Sequence, residues 1–329
     1  MQAIIDALKN RDIDRLQAYL TDVTYLIDAE NKKHYQNRDI LAVLLPLLDK
    51  PYVITTFGRL IFFAFEDYLM KWHINKETVQ YIFIHKNDAQ LRRIKIDFSY
   101  DGSHYRGFQK QVKTSNTIQQ QLENVLAHLF KNQPTIQAAG RTDKGVHAHH
   151  QVAHVDIDSD LDTHKIIRLM NKMLPKDIHI HDCEDISPLF HARFDVYQKV
   201  YRYVMLKEKD PLMSHYSHYT GHLDLSNLNE IFKPLIGSHD FLSFSKFEPQ
   251  KPTIKTIDNI EIKETKQAYY IDVQGKGFLR QMVRIIIGNA LYDLRNKTNL
   301  TLRGIQTPSK NASKHLAPSE GLYLHKLYY

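Results

Sequence analysis

The chain has 329 residues, 43% of them hydrophobic and 25% charged, the profile of a soluble globular protein too long for one average domain. Its single cysteine, Cys183, excludes an intrachain disulfide and fits a reducing, cytoplasmic compartment. No basic stretch followed by an apolar core opens the sequence, and the longest apolar runs, 41–48 and 60–65, fall far short of the roughly 20 residues of a membrane span. Net charge is +7, unevenly spread: residues 1–90 hold 11 Lys/Arg and 12 Asp/Glu, residues 91–329 hold 33 and 25. The basic surplus therefore belongs to the larger C-terminal part, where many tyrosines accompany it, a pairing that suits a polyanion such as RNA.

Residues 1–90 read as a small α+β unit. Ala3–Leu8 and Ile13–Leu20 are expected to be short helices, the second with Asp12 as N-cap. Val23–Ile27 has strand composition, and Asn37 or Asp39 can cap a helix over Ile40–Leu48 that Pro46 kinks or shortens. Three β-rich stretches follow, at Tyr52–Phe57, Leu60–Phe65 and Val79–Ile84. This element order resembles the cone-shaped NTF2/SnoaL-like fold, which implies an accessory domain ending near Asn87–Gln90.

Beyond Arg92 the pattern changes. Ile94, Ile96 and Phe98 alternate on a strand, and Tyr100–Ser103 supplies turn residues. Ile118, Leu122, Val125, Leu126, Leu129 and Phe130 recur at helical spacing behind Asn116 or Thr117 as cap. Strands at 135–139 and 151–157 flank a tight loop, and a helix over Ile166–Met173 closes at Leu174–Pro175. A second set follows: strand Val200–Met205, helix Leu225–Phe232, strands Ile257–Ile262 and Tyr269–Val273, and helix Leu279–Leu291. Two mixed α/β halves with antiparallel sheets are expected, at 91–195 and 196–329.

The loop between the strands reads Gly140-Arg141-Thr142-Asp143-Lys144-Gly145-Val146-His147. Its glycines permit a tight backbone and close approach of a ligand, so Asp143 can be presented into a cleft with Arg141 two residues away. A bare turn of this type is usually only a turn. Here the octet resembles the catalytic motif of the TruA family of pseudouridine synthases. Further blocks resemble the same family in the same order: 100–111, Thr117-Ile118-Gln119, Asn171–Ile178, Phe190–Phe194, Lys199–Tyr203, Gly237–Phe241, Gly277–Arg284 and Glu320–Leu324. Phe108 stands where many members have Trp, and residues 1–90 lie outside the resemblance.

The resemblance implies a pseudouridine synthase fold around a central basic cleft. It also implies a homodimer, a tRNA anticodon arm as substrate, and uridines thirty-eight to forty as targets. Pseudouridine formation breaks the N1–C1′ bond and joins uracil C5 to C1′ with no redox change, so no cofactor is expected. By resemblance Asp143 is the catalytic carboxylate, Arg284 its cationic partner and Tyr201 the active-site phenol that stacks on the uracil or moves a proton. Arg141 would help to flip the base. Arg106, Lys110, Lys144, Lys199 and Arg202 are candidate phosphate contacts.

Two other readings compete. His147-Ala148-His149-His150, with His154, has the look of a metal cluster near Asp143 and Asp156, and His147 and His149 share one face of a strand. With 19 histidines in the chain, clustering by chance is common, and no metal is expected. A non-catalytic RNA-binding protein would not need the set of Asp143, Arg141, Tyr201 and Arg284.

Overall fold

Ile4, Ile5, Ala7 and Leu8 give the first helix, α1 (Gln2–Lys9), one buried face. A second helix, α2 (Ile13–Tyr19), starts at Asp12, whose side chain accepts from Arg15 N–H. The computed structural model describes residues 2–28, 33–36, 38–48, 50, 52–57, 60–65, 68–75, 78–86, 91–246 and 252–329. The boundary expected at 87–90 lies outside the described residues. By contact the chain divides into two units, Met1–Arg92 with Ile186–Phe190, and Arg93–Asp185 with His191–Tyr329.

In the first unit, β1 (Leu20–Asp28) and β2 (Lys33–Gln36) precede α3 (Arg38–Leu48), followed by β3 (Val53–Phe57), β4 (Leu60–Ala64), β5 (Tyr68–Asn75) and β6 (Thr78–Lys86). These strands form a six-stranded sheet in the order β2-β1-β6-β5-β4-β3, with β1 and β6 parallel. Pro46 lies inside α3 without ending it; Ala42 and Pro46 are both exposed, so solvent can take up the carbonyl that the proline leaves unbonded. The core joins Leu8, Leu16, Leu44, Phe63, Met70 and Trp72. Sequence alternation missed β5 because buried Lys71 interrupts it. The Lys71 ammonium donates to Leu189 O at 2.6 Å, a partner 118 residues away in the segment that joins this unit.

The second unit is built on a nine-stranded sheet. Its elements are β7 (Arg92–Tyr100), α4 (Ile118–Leu129), β8 (Gln137–Ala138), β9 (His147–Ile157), α5 (Thr163–Met173), β10 (Ile178–Asp185) and β11 (Gln198–Leu206). There follow β12 (His218–Tyr219), α6 (Leu225–Phe232), β13 (Gly237–Asp240), β14 (Ile254–Ile257), β15 (Asn259–Glu264), β16 (Ala268–Gly275), α7 (Met282–Asn296), α8 (Leu300–Gln306) and β17 (Leu322–Tyr328). The main path runs β10-β7-β9-β17-β11-β16-β15, with β8 on β9 and β12 on β11. Most described pairs are antiparallel; β9 and β17 run parallel.

Where expectation and structure differ, the cause is local. The helix expected from Leu279 begins at Met282, because Gln281 takes a left-handed φ of 62° that a helix cannot include. The strand expected over Ile257–Ile262 is two, one ending at Ile257 in the β13–β14 pair and one starting at Asn259 in the main sheet. Strand β10 escaped the pattern because its register shifts between Ile180 and Asp182, which breaks the period of two. Thr117 caps α4 by accepting from Gln120 N–H, and α4 turns Ile118, Leu122, Val125 and Leu126 inward.

Candidate active site

The loop from Gly140 to Val146 joins the end of β8 to the start of β9 and is held from both sides. Phe108 N–H donates to Thr142 O at 3.1 Å, and the Tyr100 and Thr142 hydroxyls share a hydrogen bond of 2.8 Å. Gln151 Nε2 donates to Gly140 O at 3.0 Å. The close approach of the 100–108 segment needs Gly107, whose φ is +103° and where a Cβ would lie 3.0 Å from Thr142 O. Thr142 is thereby buried, and its neighbour Asp143 is turned outward with 27% of its side chain exposed. Phe108 is buried against Tyr100 and Phe98.

Opposite the loop, Arg284 stands on the third residue of α7. Its Nη1 is 3.6 Å from Asp143 Oδ2, longer than a charge-assisted hydrogen bond, and its Nε donates to Ala317 O at 2.8 Å. The arginine is 12% exposed, so this is a partly desolvated ion pair.

Tyr201 comes from β11. Its row across the sheet is Ala148, Leu324, Tyr201, Val273 and Ile260, which places it on the face that carries the core of α6 and α7. The ring meets Phe278 edge-on, with centroids 5.2 Å apart. A Cβ at Gly140 would be 3.8 Å from Tyr201 Oη, so the hydroxyl lies under the start of the Asp143 loop. Burial first, then the charges of Tyr100 and Asp143, push the phenol up, so Tyr201 holds its proton across the neutral range.

The basic candidates divide. Arg141 and Lys144 are exposed on the loop itself, and Arg106 is exposed one residue before Gly107, which packs on the loop. Lys110 forms an ion pair with Glu123 at 3.2 Å. Arg202 follows Tyr201 by one residue and so faces the other side of the sheet, forked onto Asp272 with two bonds of 2.7 Å. Lys199 is a correction of another kind: it is buried, its ammonium donates to Ala139 O at 2.6 Å, and it does not reach solvent as a phosphate contact would. Burial, then the charge of Arg193, pushes it down to about 7.

Two cations were missed by sequence reasoning. Burial and then the nearby Arg141 charge push the Arg193 guanidinium down, and burial and then Arg193 do the same to Lys255. Arg193 is thus coupled by like charge to Arg141, to Lys199 and to Lys255. Arg193 lies inside the Phe190–Phe194 block, which was the available signal; Lys255 has none, since β14 reaches the group only through folding.

The histidine run is explained by packing. His147 and His149 do share a face, and each stacks on Tyr323, at 4.7 and 4.6 Å between centroids. His147 Nε2 bonds His215 O at 2.9 Å, and its Nδ1 accepts from Gly102 N–H at 3.1 Å.

The family pattern described as tRNA pseudouridine synthase matches residues 98–195 and 231–329. The chain belongs to the TruA family of tRNA pseudouridine synthases. A tRNA pseudouridine synthase A from an Exiguobacterium species is 35% identical over 244 residues, covering 73% of this chain and 98% of the relative. The proteins of that name from Bacillus subtilis and Phytoplasma mali are 37% and 36% identical, covering 72% and 71% of this chain and 99% and 98% of themselves. This tRNA pseudouridine synthase family member, an isomerase by family, is therefore longer than those relatives. A solved NTF-2 like protein of unknown function from Burkholderia xenovorans aligns with 26% of this chain at 13% identity, with a TM-score of 0.22, too low to fix the fold of the first unit. Among the described residues no helix is long and apolar enough to cross a membrane.

Proposed function

We propose that this chain converts uridine to pseudouridine at positions thirty-eight, thirty-nine and forty of the tRNA anticodon arm, with Asp143 as its catalytic carboxylate. The observation that carries the reading is the convergence of Asp143, Arg284 and the Tyr201 hydroxyl from three separate elements. Binding alone does not require a carboxylate held beside a cation and a partly buried phenol.

In this reading the target uridine is turned out of its stack, at a cost of a few kcal/mol that stacking and phosphate contacts offset. The Asp143 carboxylate acts at the ribose, either by attack on C1′ or by taking the C2′ proton to give a glycal. The N1–C1′ bond breaks, the uracil rotates, and C5 bonds to C1′. The C5 proton is lost and N1 gains one, so the product is an isomer of the substrate. Tyr201 supplies a ring face to the uracil and a hydroxyl within the reaction volume. Arg284 holds Asp143 in place. Arg141, Arg193, Lys255, Lys144 and Arg106 line the basic cleft that takes the phosphates.

The chain works as a homodimer in the cytoplasm, one tRNA touching both subunits. Its synthase part comprises halves 91–195 and 196–329, and residues 1–90 form an NTF2/SnoaL-like docking or dimer-extending domain. The test is to incubate unmodified tRNA with the purified chain and map pseudouridine by carbodiimide-dependent reverse-transcription stops. Product at those three positions, absent with Asp143→Asn while tRNA binding persists, is the expected result. Product elsewhere, or full turnover by the Asn variant, overturns the assignment.

A further inference from the structure

Asp143, Tyr201 and Arg284 reach the site from a loop, a strand and a helix, so something must set the distances between those elements. We propose that the segment Ser313–Ser319 is the alignment strap of the site, and that Gly288 and Asn289 are positioning residues that act through it. The inference rests on the catalytic reading above.

The strap runs along one face of α7. Helical spacing puts Arg284, Gly288 and Tyr292 on that face at intervals of four residues. Ala317 is held to Arg284 twice: its N–H donates to Arg284 O at 3.1 Å, and its carbonyl accepts from Arg284 Nε at 2.8 Å. One turn on, the strap passes so close to Gly288 that a Cβ there would lie 1.9 Å from His315 O. The buried Asn289 accepts from His315 N–H through Oδ1 at 2.8 Å. The His315 ring then stacks flat on Tyr292, at 3.8 Å and 11°.

The same few residues also touch the other two elements. Pro318 O accepts from the Tyr203 hydroxyl at 3.0 Å, and Tyr203 is two residues from Tyr201 on β11. Ser319 lies under the Asp143 loop, where a Cβ on Gly145, whose φ is +76°, would come within 2.7 Å of Ser319 Oγ. A single strap of seven residues thus bears on the helix of Arg284, the strand of Tyr201 and the loop of Asp143. With Nε tied to Ala317 O, the guanidinium has only its Nη groups left to face Asp143, and the strap decides where they point. A displacement of about 1 Å at such a pair can cost on the order of 10²-fold in rate.

The test is a double-mutant cycle on the full chain, with kcat and KM for tRNA measured for the unaltered protein, Gly288→Ala, Arg284→Gln and the double variant. Gly288→Ala forces the strap off α7 and is expected to lower kcat by about 10- to 100-fold with KM within about twofold. In the Arg284→Gln background the same change is expected to cost several-fold less, because the guanidinium that Gly288 positions through Ala317 is gone and only the contacts to the Tyr201 strand and the Asp143 loop remain. A full penalty in both backgrounds would mean that Gly288 acts by general packing, and it overturns the inference, as does an unchanged kcat in the single variant. If Gly288→Ala does not fold, Tyr292 decides. Tyr292→Ala is expected to lose about fivefold or more in kcat while Tyr292→Phe, which keeps the stacked ring, retains it. Equal activity in both overturns the proposal. Absence of turnover by the unaltered chain overturns the catalytic reading itself; turnover with an indifferent Gly288→Ala overturns the strap alone.

Discussion

Replacing Arg284 with Gln removes the cation that stands 3.6 Å from the Asp143 carboxylate. At that separation two unit charges attract by about 1 kcal/mol in bulk water and by about 5 kcal/mol at an effective dielectric of about 20. Asp143 is 27% exposed and Arg284 12%, so solvent screens part of the attraction and about 2–3 kcal/mol remains. Spent at the transition state, this is roughly 30- to 150-fold in kcat. The assay uses tRNA carrying tritium at uridine C5, because that hydrogen is released when C5 bonds to C1′. Arg284→Gln is expected to slow release by that factor while tRNA dissociation, followed by filter binding, changes by less than about threefold. Arg284→Lys keeps the charge but lacks the Nε–H that Ala317 O accepts, and should fall between the two. A kcat within twofold of the unaltered chain would refute the electrostatic argument. So would a loss that appears wholly in binding.

Tyr201→Phe keeps the ring and its edge contact with Phe278 but removes the hydroxyl, so single-turnover rates are expected to fall by about 10²-fold with tRNA affinity retained; an unchanged rate removes the hydroxyl from the reaction. Lys199 is expected to leave a signature in stability rather than in binding. Its folded value, about 7, lies below its ordinary 10.5, so between those limits the unfolded chain carries a proton that the folded chain lacks, and stability rises with pH. The unfolding free energy of the unaltered chain relative to Lys199→Met, from urea titrations, should therefore rise by about 2–3 kcal/mol between pH 7.5 and 9.5. A difference independent of pH would show that the amine titrates normally. If Arg141, Arg193, Lys255, Lys144 and Arg106 all reach phosphates, five contacts imply a loss of affinity on the order of 10²-fold between 50 and 200 mM salt. Arg193→Gln should flatten that dependence by about one contact, whereas Arg202→Gln, on the opposite face, should leave it unaltered.

The Asp143 loop was legible as a loop because its signals are local: two glycines, a buried threonine and an outward aspartate are neighbours in the chain as well as in space. The same holds for α4 and α5, whose apolar spacing and capping residues are read within one helix. Period-two alternation also separated Tyr201 from Arg202 in principle, but alternation says that two residues face opposite ways and not which way is inward. The register of β11 against β16 and β17 decided that, by setting Tyr201 beside Val273 and Leu324 and Arg202 beside Asp272 and Tyr323. Burial of Lys199 followed from the same packing, and nothing in a lysine code announces it.

The sequence by itself determined which ionisable groups, glycines and short-range spacings the chain offers, because these are properties of consecutive residues. Only the tertiary structure decided where those groups stand. The 3.6 Å between Asp143 and Arg284 spans 141 positions of chain, and the Ala317 carbonyl that holds the arginine comes from 33 residues further on. Such distances are set by the parallel seam of β9 and β17 and by the strap over α7, which arise from packing between segments that no local pattern connects.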